Sequence, residues 1–176
     1  AERGHAVHGC DVKTPSAQHG LQQHGVNVLM GHHPVHLTEE VGLVVFSSAV
    51  SSHEPELLAA KARGIPIVSR GELLAELAST KRLVAVAGAH GKTTTSGIAA
   101  QLLLQAGWDP TVVVGGHVLS LGANARTGRG CYLVAETDES DGSFLFLHPE
   151  VAIVTNIDRE HLNYYRTFEN LVAAFQ

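Results

Sequence analysis

The stretch Leu83-Val84-Ala85-Val86-Ala87-Gly88-Ala89-His90-Gly91-Lys92-Thr93-Thr94-Thr95 decides how the rest of the chain is read. Its apolar, valine-rich first part predicts a buried strand, and the glycines after it a tight turn. Ile98, Ala99, Leu102, Leu103 and Ala106 then recur at helical spacing. Strand, glycine-bearing loop and helix in that order make a phosphate-binding loop. Glycines let backbone N–H groups close around an anion, and the helix turns its positive dipole end toward it. Lys92 adds a full positive charge, and the Thr93 hydroxyl is a candidate metal ligand. The general pattern Gly-x-x-x-x-Gly-Lys is not met; the shorter Gly88-x-x-Gly91-Lys92-Thr93 stands in its place, after Ala87.

The chain has 176 residues, enough for one domain or two small ones with a sizeable core. With 44% hydrophobic and 16% charged residues it has the composition of an ordinary soluble globular protein. A net charge of −5 provides no broad basic surface for nucleic acid, so anion binding has to be local. No apolar run reaches membrane-span length, so no membrane partner is expected. Cys10 and Cys131 make no disulfide framework, and reduced thiols in a cytoplasmic protein are expected. Ala1-Glu2-Arg3-Gly4 reads as the last turn of a helix closed by its glycine. Leu171-Val172-Ala173-Ala174-Phe175-Gln176 is a helical pattern without a stop signal, so a window on a longer protein is expected.

Upstream of the loop, residues 5–10 read as a short strand with Asp11 at its end, either a turn-initiating acid or the acid that nucleotide folds carry there. A polar, helix-like segment runs to Gly25, and a strand follows over residues 26–30. Leu43-Val44-Val45-Phe46 is a second buried strand that delivers Ser47-Ser48-Ala49-Val50 at its end. Pro55 opens a helix that runs to Gly64, and Ile65-Pro66-Ile67-Val68 is the next strand. Ser69 and Glu72 have capping-box spacing ahead of another helix, and Ser79-Thr80-Lys81-Arg82 reads as a linker. Alternating strands and helices predict α/β architecture with a mainly parallel sheet and ligands at strand C-terminal ends.

In the second half, Val112-Val113-Val114 predicts a strand with Gly115-Gly116 as its turn, and residues 122–130 a polar connection. Tyr132-Leu133-Val134-Ala135 runs into Glu136-Thr137-Asp138-Glu139-Ser140-Asp141. Val151-Ala152-Ile153-Val154 runs into Thr155-Asn156-Ile157-Asp158. Strands ending near Gly88, Glu136 and Asn156 bring these residues to one sheet edge, where Thr93 and Glu136 offer the hard oxygens Mg²⁺ prefers. His161 follows the last of these strands, and His90 lies inside the loop. His5, His8, His32, His33 and His36 raise a zinc hypothesis, but no paired cysteines and no His-Glu-x-x-His spacing support one. Without Gly-x-Ser-x-Gly, a serine hydrolase has no anchor.

Gly88-Ala89-His90-Gly91-Lys92-Thr93-Thr94 resembles the ATP loop of the Mur ligases, Gly-Thr-His-Gly-Lys-Thr-Thr, with Ala89 replacing the usual threonine. The run from Glu136 to Phe144 resembles that family's Glu-Ala-Asp-Glu-Ser-Asp-x-Ser-Phe, and the run from Val151 to His161 its Val-Ala-Ile-Val-Thr-Asn-Ile-x-x-x-His. Gly4-His5-x-Val7-x-Gly9-x-Asp11, Gly31-His32 and Ser47-Ser48-Ala49-Val50 resemble its UDP-sugar-binding first domain.

The resemblance implies a Rossmann-like UDP-binding domain over residues 1–80, lacking its first strand and Gly-rich loop. Residues 81–176 would be the start of a P-loop ATP-binding domain. It implies a bacterial, cytoplasmic ligase of peptidoglycan synthesis that joins L-alanine to the carboxylate of UDP-N-acetylmuramate through an acyl phosphate. A ligase recycling the muramyl tripeptide and a truncated, non-catalytic nucleotide-binding module are the alternatives. By resemblance, residues Gly88, Ala89, His90, Gly91, Lys92, Thr93 and Thr94 bind ATP, with Lys92 on the β and γ phosphates. Thr93 and Glu136 would hold the Mg²⁺ that bridges ATP, and His161 a second Mg²⁺ near the acyl phosphate. Lys92 and His161 are then the catalytic pair. Ser47, Ser48, Asp138, Ser140 and Asn156 are candidate substrate contacts. A chain ending at Gln176 is expected to be inactive alone, because it cannot enclose its substrates.

Overall fold

The computed structural model describes residues 1, 4–13, 18–118 and 122–176, and these form two compact units, Ala1–Arg70 and Gly71–Gln176.

In the first unit, β1 (His8–Asp11) pairs in parallel with β2 (Asn27–Met30), His8 lying opposite Asn27 and Asp11 opposite Met30. Helix α1 (Gln18–Gln23) connects them. The first strand is thus shifted toward Asp11 relative to residues 5–10. Residues 2 and 3 of the expected terminal turn, and 14–17 of the polar segment, lie outside the described residues. A 3₁₀ turn follows at Pro34–His36. The strand β3 (Val44–Phe46) pairs in parallel with β4 (Ile67–Ser69), joined by α2 (Pro55–Ala62). Pro55 suits the first helical position because its missing N–H would have had no partner there. Glu56 in the first turn and Lys61 in the last complement the helix dipole.

The second unit is built on one sheet. Its elements are α3 (Arg70–Ser79), β5 (Arg82–Ala87), α4 (Lys92–Gln105), β6 (Thr111–Val118), β7 (Ala123–Arg126), β8 (Tyr132–Glu136), β9 (Val151–Val154), α5 (Leu162–Tyr165) and α6 (Phe168–Ala174). A 3₁₀ turn at Ser143–Phe146 follows β8. The strand order is β7-β6-β8-β5-β9. All pairs are parallel except β6 with β7. The phosphate-loop strand β5 therefore lies between β8 and β9, and the C-terminal ends of all three converge.

Two apolar layers sandwich this sheet, and the alternation of side chains along each strand assigns them. Leu83 and Ala85 of β5 join Leu133 and Ala135 of β8, Ala78 of α3 and Leu147, with Leu74 and Ala75 packed on them. The intervening Val84 and Val134 join Val112, Val114, Val118 and Ala100 of α4. Burial on both faces explains why these strands are continuous apolar runs rather than alternating ones.

Three features depart from the sequence reading. Helix α3 packs into the second unit's core through Leu74, Ala75 and Ala78, so the compact units divide at Arg70 and Gly71, upstream of the linker expected at residues 79–82. Gly115 and Gly116 are not a turn but lie inside β6. A Cβ on Gly115 would sit 3.0 Å from Glu136 Oε1, and one on Gly116 would sit 3.1 Å from Thr93 Cγ2. These glycines let the site's side chains pass close to the strand. The polar connection over 122–130 contains β7, an antiparallel edge strand. Its Ala-Asn-Ala-Arg sequence has none of the β-branched signal of a buried strand, and main-chain pairing with β6 holds it. Arg126 ties it down by donating to the Pro110 carbonyl at 2.8 Å and pairing with Asp109.

Among the described residues, no helix is long and apolar enough to cross a membrane.

Leu133 is 1% exposed at the centre of the sheet. Leu133→Ala should cost about 2–5 kcal/mol in urea denaturation. Leu102→Ala, on the exposed side of α4, should stay within about 0.5 kcal/mol.

Candidate functional site

The loop from Gly88 to Gly91 begins where β5 leaves the sheet. Gly88 has φ +124°, and a Cβ there would lie 2.3 Å from Thr155 Oγ1 and 2.6 Å from the Asn156 carbonyl. The loop can follow β9 this closely only with glycine at this position. Ala87 is the last residue of β5 and is buried, so the turn begins with Gly88.

The end of β9 fastens the loop. Ala89 N–H donates to the Asn156 carbonyl at 3.0 Å. His90 N–H donates to Asn156 Oδ1 at 3.0 Å, while Asn156 Nδ2 donates to the His90 carbonyl at 2.9 Å. Thr155 Oγ1 donates to the same carbonyl at 2.7 Å. Both ends of the Asn156 amide are thus engaged with the loop backbone. The imidazole of His90 is exposed, with Asp158 at 3.5 Å.

Gly91, at φ +80°, is the N-cap of α4. The first bond into the helix is Thr95 N–H to the Gly91 carbonyl, 3.0 Å, so the amides of Lys92, Thr93 and Thr94 precede the intrahelical ladder and face the loop end. Lys92 Nζ donates to the Gly88 carbonyl at 2.6 Å and to Glu139 Oε1 and Oε2 at 2.9 and 3.1 Å. The Glu139 side chain is 3% exposed and that of Lys92 18%. Burying a carboxylate this deeply is tolerable only with a cation against it. Tyr165 braces the segment by donating its hydroxyl to the Glu139 carbonyl at 2.6 Å. Burial, and secondarily neighbouring charge, push that phenol up to about 12, so it remains a donor.

Beside this pair, Thr93 Oγ1 lies 3.1 and 2.9 Å from the two carboxylate oxygens of Glu136. Gly115 N–H donates to Glu136 Oε2 at 2.9 Å. Thr93 and Glu136 thus stand together, as the sequence spacing of their strands required. His161, with φ +57°, turns Nε2 to within 3.6 Å of Glu139 Oε1 and 3.8 Å of Glu160. A shallow concavity here is lined by Ala89, Glu139, Asp158, Glu160 and His161.

Asp138 and Ser140 are occupied locally: Asp138 Oδ1 accepts from Ser140 N–H at 2.9 Å, and the Asp138 carbonyl accepts from Ser143 Oγ at 3.2 Å. Ser47 belongs to the first unit, where its hydroxyl accepts from Ala49 N–H at 3.3 Å, and Ser48 there is exposed. The residue not singled out from sequence is Glu139. It is one of four acids in a short run, and nothing in spacing distinguishes the buried one from its solvated neighbours.

The chain matches two family descriptions in succession, "Mur ligase family, catalytic domain" over residues 1–82 and "Mur ligase middle domain" over residues 86–176. It is 50% identical over 174 residues to the UDP-N-acetylmuramate–L-alanine ligase of Carboxydothermus hydrogenoformans and 48% identical over 175 residues to that of Aquifex aeolicus. In each case the match covers 99% of this chain and 38% of the relative. The chain therefore spans under two fifths of the length of these relatives. Among solved structures, the UDP-N-acetylmuramate–alanine ligase of Thermotoga maritima superposes with a TM-score of 0.91 at 29% identity, over 99% of this chain and 41% of that one. The UDP-N-acetylmuramate:L-alanyl-γ-D-glutamyl-meso-diaminopimelate ligase of Neisseria meningitidis gives 0.89 at 27% identity, over 99% and 60%. The parallel sheet, its loop and the upstream α/β unit, an incomplete Rossmann-like domain, are those of these proteins, and the chain belongs to the Mur ligase family.

Proposed function

We propose that this chain is the UDP-sugar-binding and ATP-binding portion of a bacterial, cytoplasmic ligase that joins L-alanine to the carboxylate of UDP-N-acetylmuramate at the expense of ATP, in peptidoglycan synthesis. Residues 1–80 would serve the UDP-sugar and residues 81–176 the nucleotide triphosphate. The observation that carries this reading is the meeting of Lys92, Thr93, Glu136, Glu139 and His161 at the C-terminal ends of β5, β8 and β9. The relatives at 50% and 48% identity carry the L-alanine activity in their names, which favours it over the tripeptide ligase.

The donor set fits divalent magnesium. Thr93 and Glu136 present hydroxyl and carboxylate oxygens within 3.1 Å of each other, the hard ligands such an ion takes. They would hold one Mg²⁺, and His161 with Glu139 would hold a second. When bound, the metals offset the negative charge of the phosphates.

The free amides at the start of α4 and the loop backbone receive the β and γ phosphates of ATP. Lys92 then exchanges its contact with Glu139 for phosphate oxygens, and the Glu139 carboxylate turns to the His161 side. An oxygen of the muramate carboxylate attacks the γ phosphorus as the bond to ADP breaks, giving an acyl phosphate. Lys92 holds the charge on the transferring oxygens. The amine of L-alanine attacks the acyl carbon, a proton is lost, and phosphate leaves as the amide forms. Thr155 and Asn156 keep the loop backbone in place throughout, which is a positioning role.

In the full-length enzyme, ADP release should require UDP-N-acetylmuramate, L-alanine and Mg²⁺ together. Lys92→Ala should lower that turnover about 10²- to 10³-fold or more, and wild-type turnover in this variant would overturn the site. Glu136→Ala should raise the Mg²⁺ concentration for half-maximal turnover at least about tenfold, and His161→Ala should do likewise. ADP release with L-Ala-γ-D-Glu-meso-diaminopimelate and not with L-alanine would assign the tripeptide ligase instead. Nucleotide binding without ADP release on any of these substrates would assign a binding module.

A further inference from the structure

The first unit holds a side-chain cluster that the proposed reaction does not use. Cys10 on β1, His36 at the end of the 3₁₀ turn, and Glu56 in the first turn of α2 each present one donor atom, all within 4.8 Å of one another. Cys10 Sγ donates to Glu56 Oε2 at 3.0 Å. His36 Nδ1 stands 3.6 Å from Glu56 Oε1. His32 adds a further imidazole, its Nδ1 3.1 Å from Cys10 Sγ and 3.8 Å from Glu56 Oε2. The side chains of His32, His36 and Glu56 are 15%, 11% and 13% exposed.

As it stands, the cluster is incompletely satisfied. His36 Nδ1 is shielded from solvent and has no hydrogen-bond partner; such buried polar atoms are uncommon. The thiol is pressed against a carboxylate, and burial together with Glu56 pushes it up to about 12. One neutral thiol, one carboxylate and an orphaned imidazole nitrogen thus share a small space. A divalent cation resolves all three. Cys10 would lose its proton to solvent as the sulfur–metal bond forms, His36 Nδ1 would gain its missing partner, and the thiolate and carboxylate together would balance the two positive charges.

We propose that Cys10, His36 and Glu56 form a three-residue zinc site in the first unit. Sulfur, nitrogen and oxygen in one set select a borderline metal such as Zn²⁺ over Mg²⁺ or Ca²⁺. Tetrahedral zinc with such ligands separates the sulfur, nitrogen and oxygen donors by about 3.4–3.6 Å, close to the contacts of 3.0 and 3.6 Å that Glu56 makes with Cys10 and His36. The ion would join β1, the 3₁₀ turn and α2, segments remote in sequence within a unit whose described strands form two separate parallel pairs. Its role is structural, since binding to the folded arrangement stabilises it. The site lies in the unit proposed to serve the UDP-sugar, and metal uptake is read separately from ligase turnover.

The test is titration of the chelator-stripped protein with Co²⁺, followed by absorption. Wild type should take up one equivalent with a near-ultraviolet sulfur-to-cobalt charge-transfer band, and Zn²⁺ should displace the Co²⁺ and raise the thermal midpoint. Cys10→Ser should lose the band, and Cys131→Ser, at the other free cysteine, should keep it. His36→Ala and Glu56→Gln should each weaken Co²⁺ binding at least about tenfold. These two variants decide the matter should Cys10→Ser fold poorly by circular dichroism. Absence of the band in wild type, a band that Cys131→Ser removes, or full affinity in both His36→Ala and Glu56→Gln would overturn the site.

Discussion

Everything at the candidate site depends on how closely the turn after β5 approaches the end of β9. With its hydrogen atom facing Thr155 and Asn156, Gly88 leaves no space for a side chain. This approach permits the ladder of contacts from Thr155 and Asn156 to the loop backbone. The ladder in turn fixes where α4 starts, and hence where Lys92 and Thr93 stand. The parallel register completes the arrangement: Val86 of β5 lies opposite Glu136 of β8 on one side and Ile153 of β9 on the other. Acid, loop and asparagine emerge at one level of the sheet because three strands run in the same direction, as ligand sites of parallel α/β sheets generally do.

The electrostatic centre of this edge is the contact between Lys92 and Glu139. Two opposite charges largely removed from water are costly to separate unless another partner replaces the one lost. In the proposed reaction an incoming phosphate is that partner, so nucleotide binding and release of Glu139 toward His161 are a single exchange. The narrow places in β6 serve the same edge. Glycines at 115 and 116 admit Glu136 and Thr93 against the strand, and Gly115 supplies an amide that orients the carboxylate.

Much of this was legible in the residues themselves. Continuous apolar runs at 83–87 and 132–135 identified the central strands β5 and β8, because strands buried on both faces need no alternation. The run at 151–154 identified β9, which lies at the sheet edge with Val151 and Val154 exposed. The polar ends of all three marked the C-terminal edge, at which the loop, Glu136 and Asn156 stand together. What escaped has physical causes. Strand β7 is an edge element held by backbone pairing, so its side chains carry no pattern. A glycine pair reads as a turn unless it is known that two functional side chains need the space. Helix α3 joins the second unit through Leu74, Ala75 and Ala78, and an apolar helical face does not say which sheet it covers. Glu139 is separated from its acidic neighbours only by burial. The Cys10–His36–Glu56 cluster is likewise assembled by tertiary packing, from positions whose spacing matches no short metal motif.

The central claim is that the loop, Lys92 and the two carboxylates act as one nucleotide site. Its most direct test is an NMR titration of the protein with Mg²⁺ and a non-hydrolysable ATP analogue. The amides of residues 88–94 should shift together with those of Glu136, Glu139 and His161, at a single affinity that Lys92→Ala lowers. Shifts confined to other parts of the chain, or loop shifts that leave Glu136 and Glu139 unmoved, would contradict it.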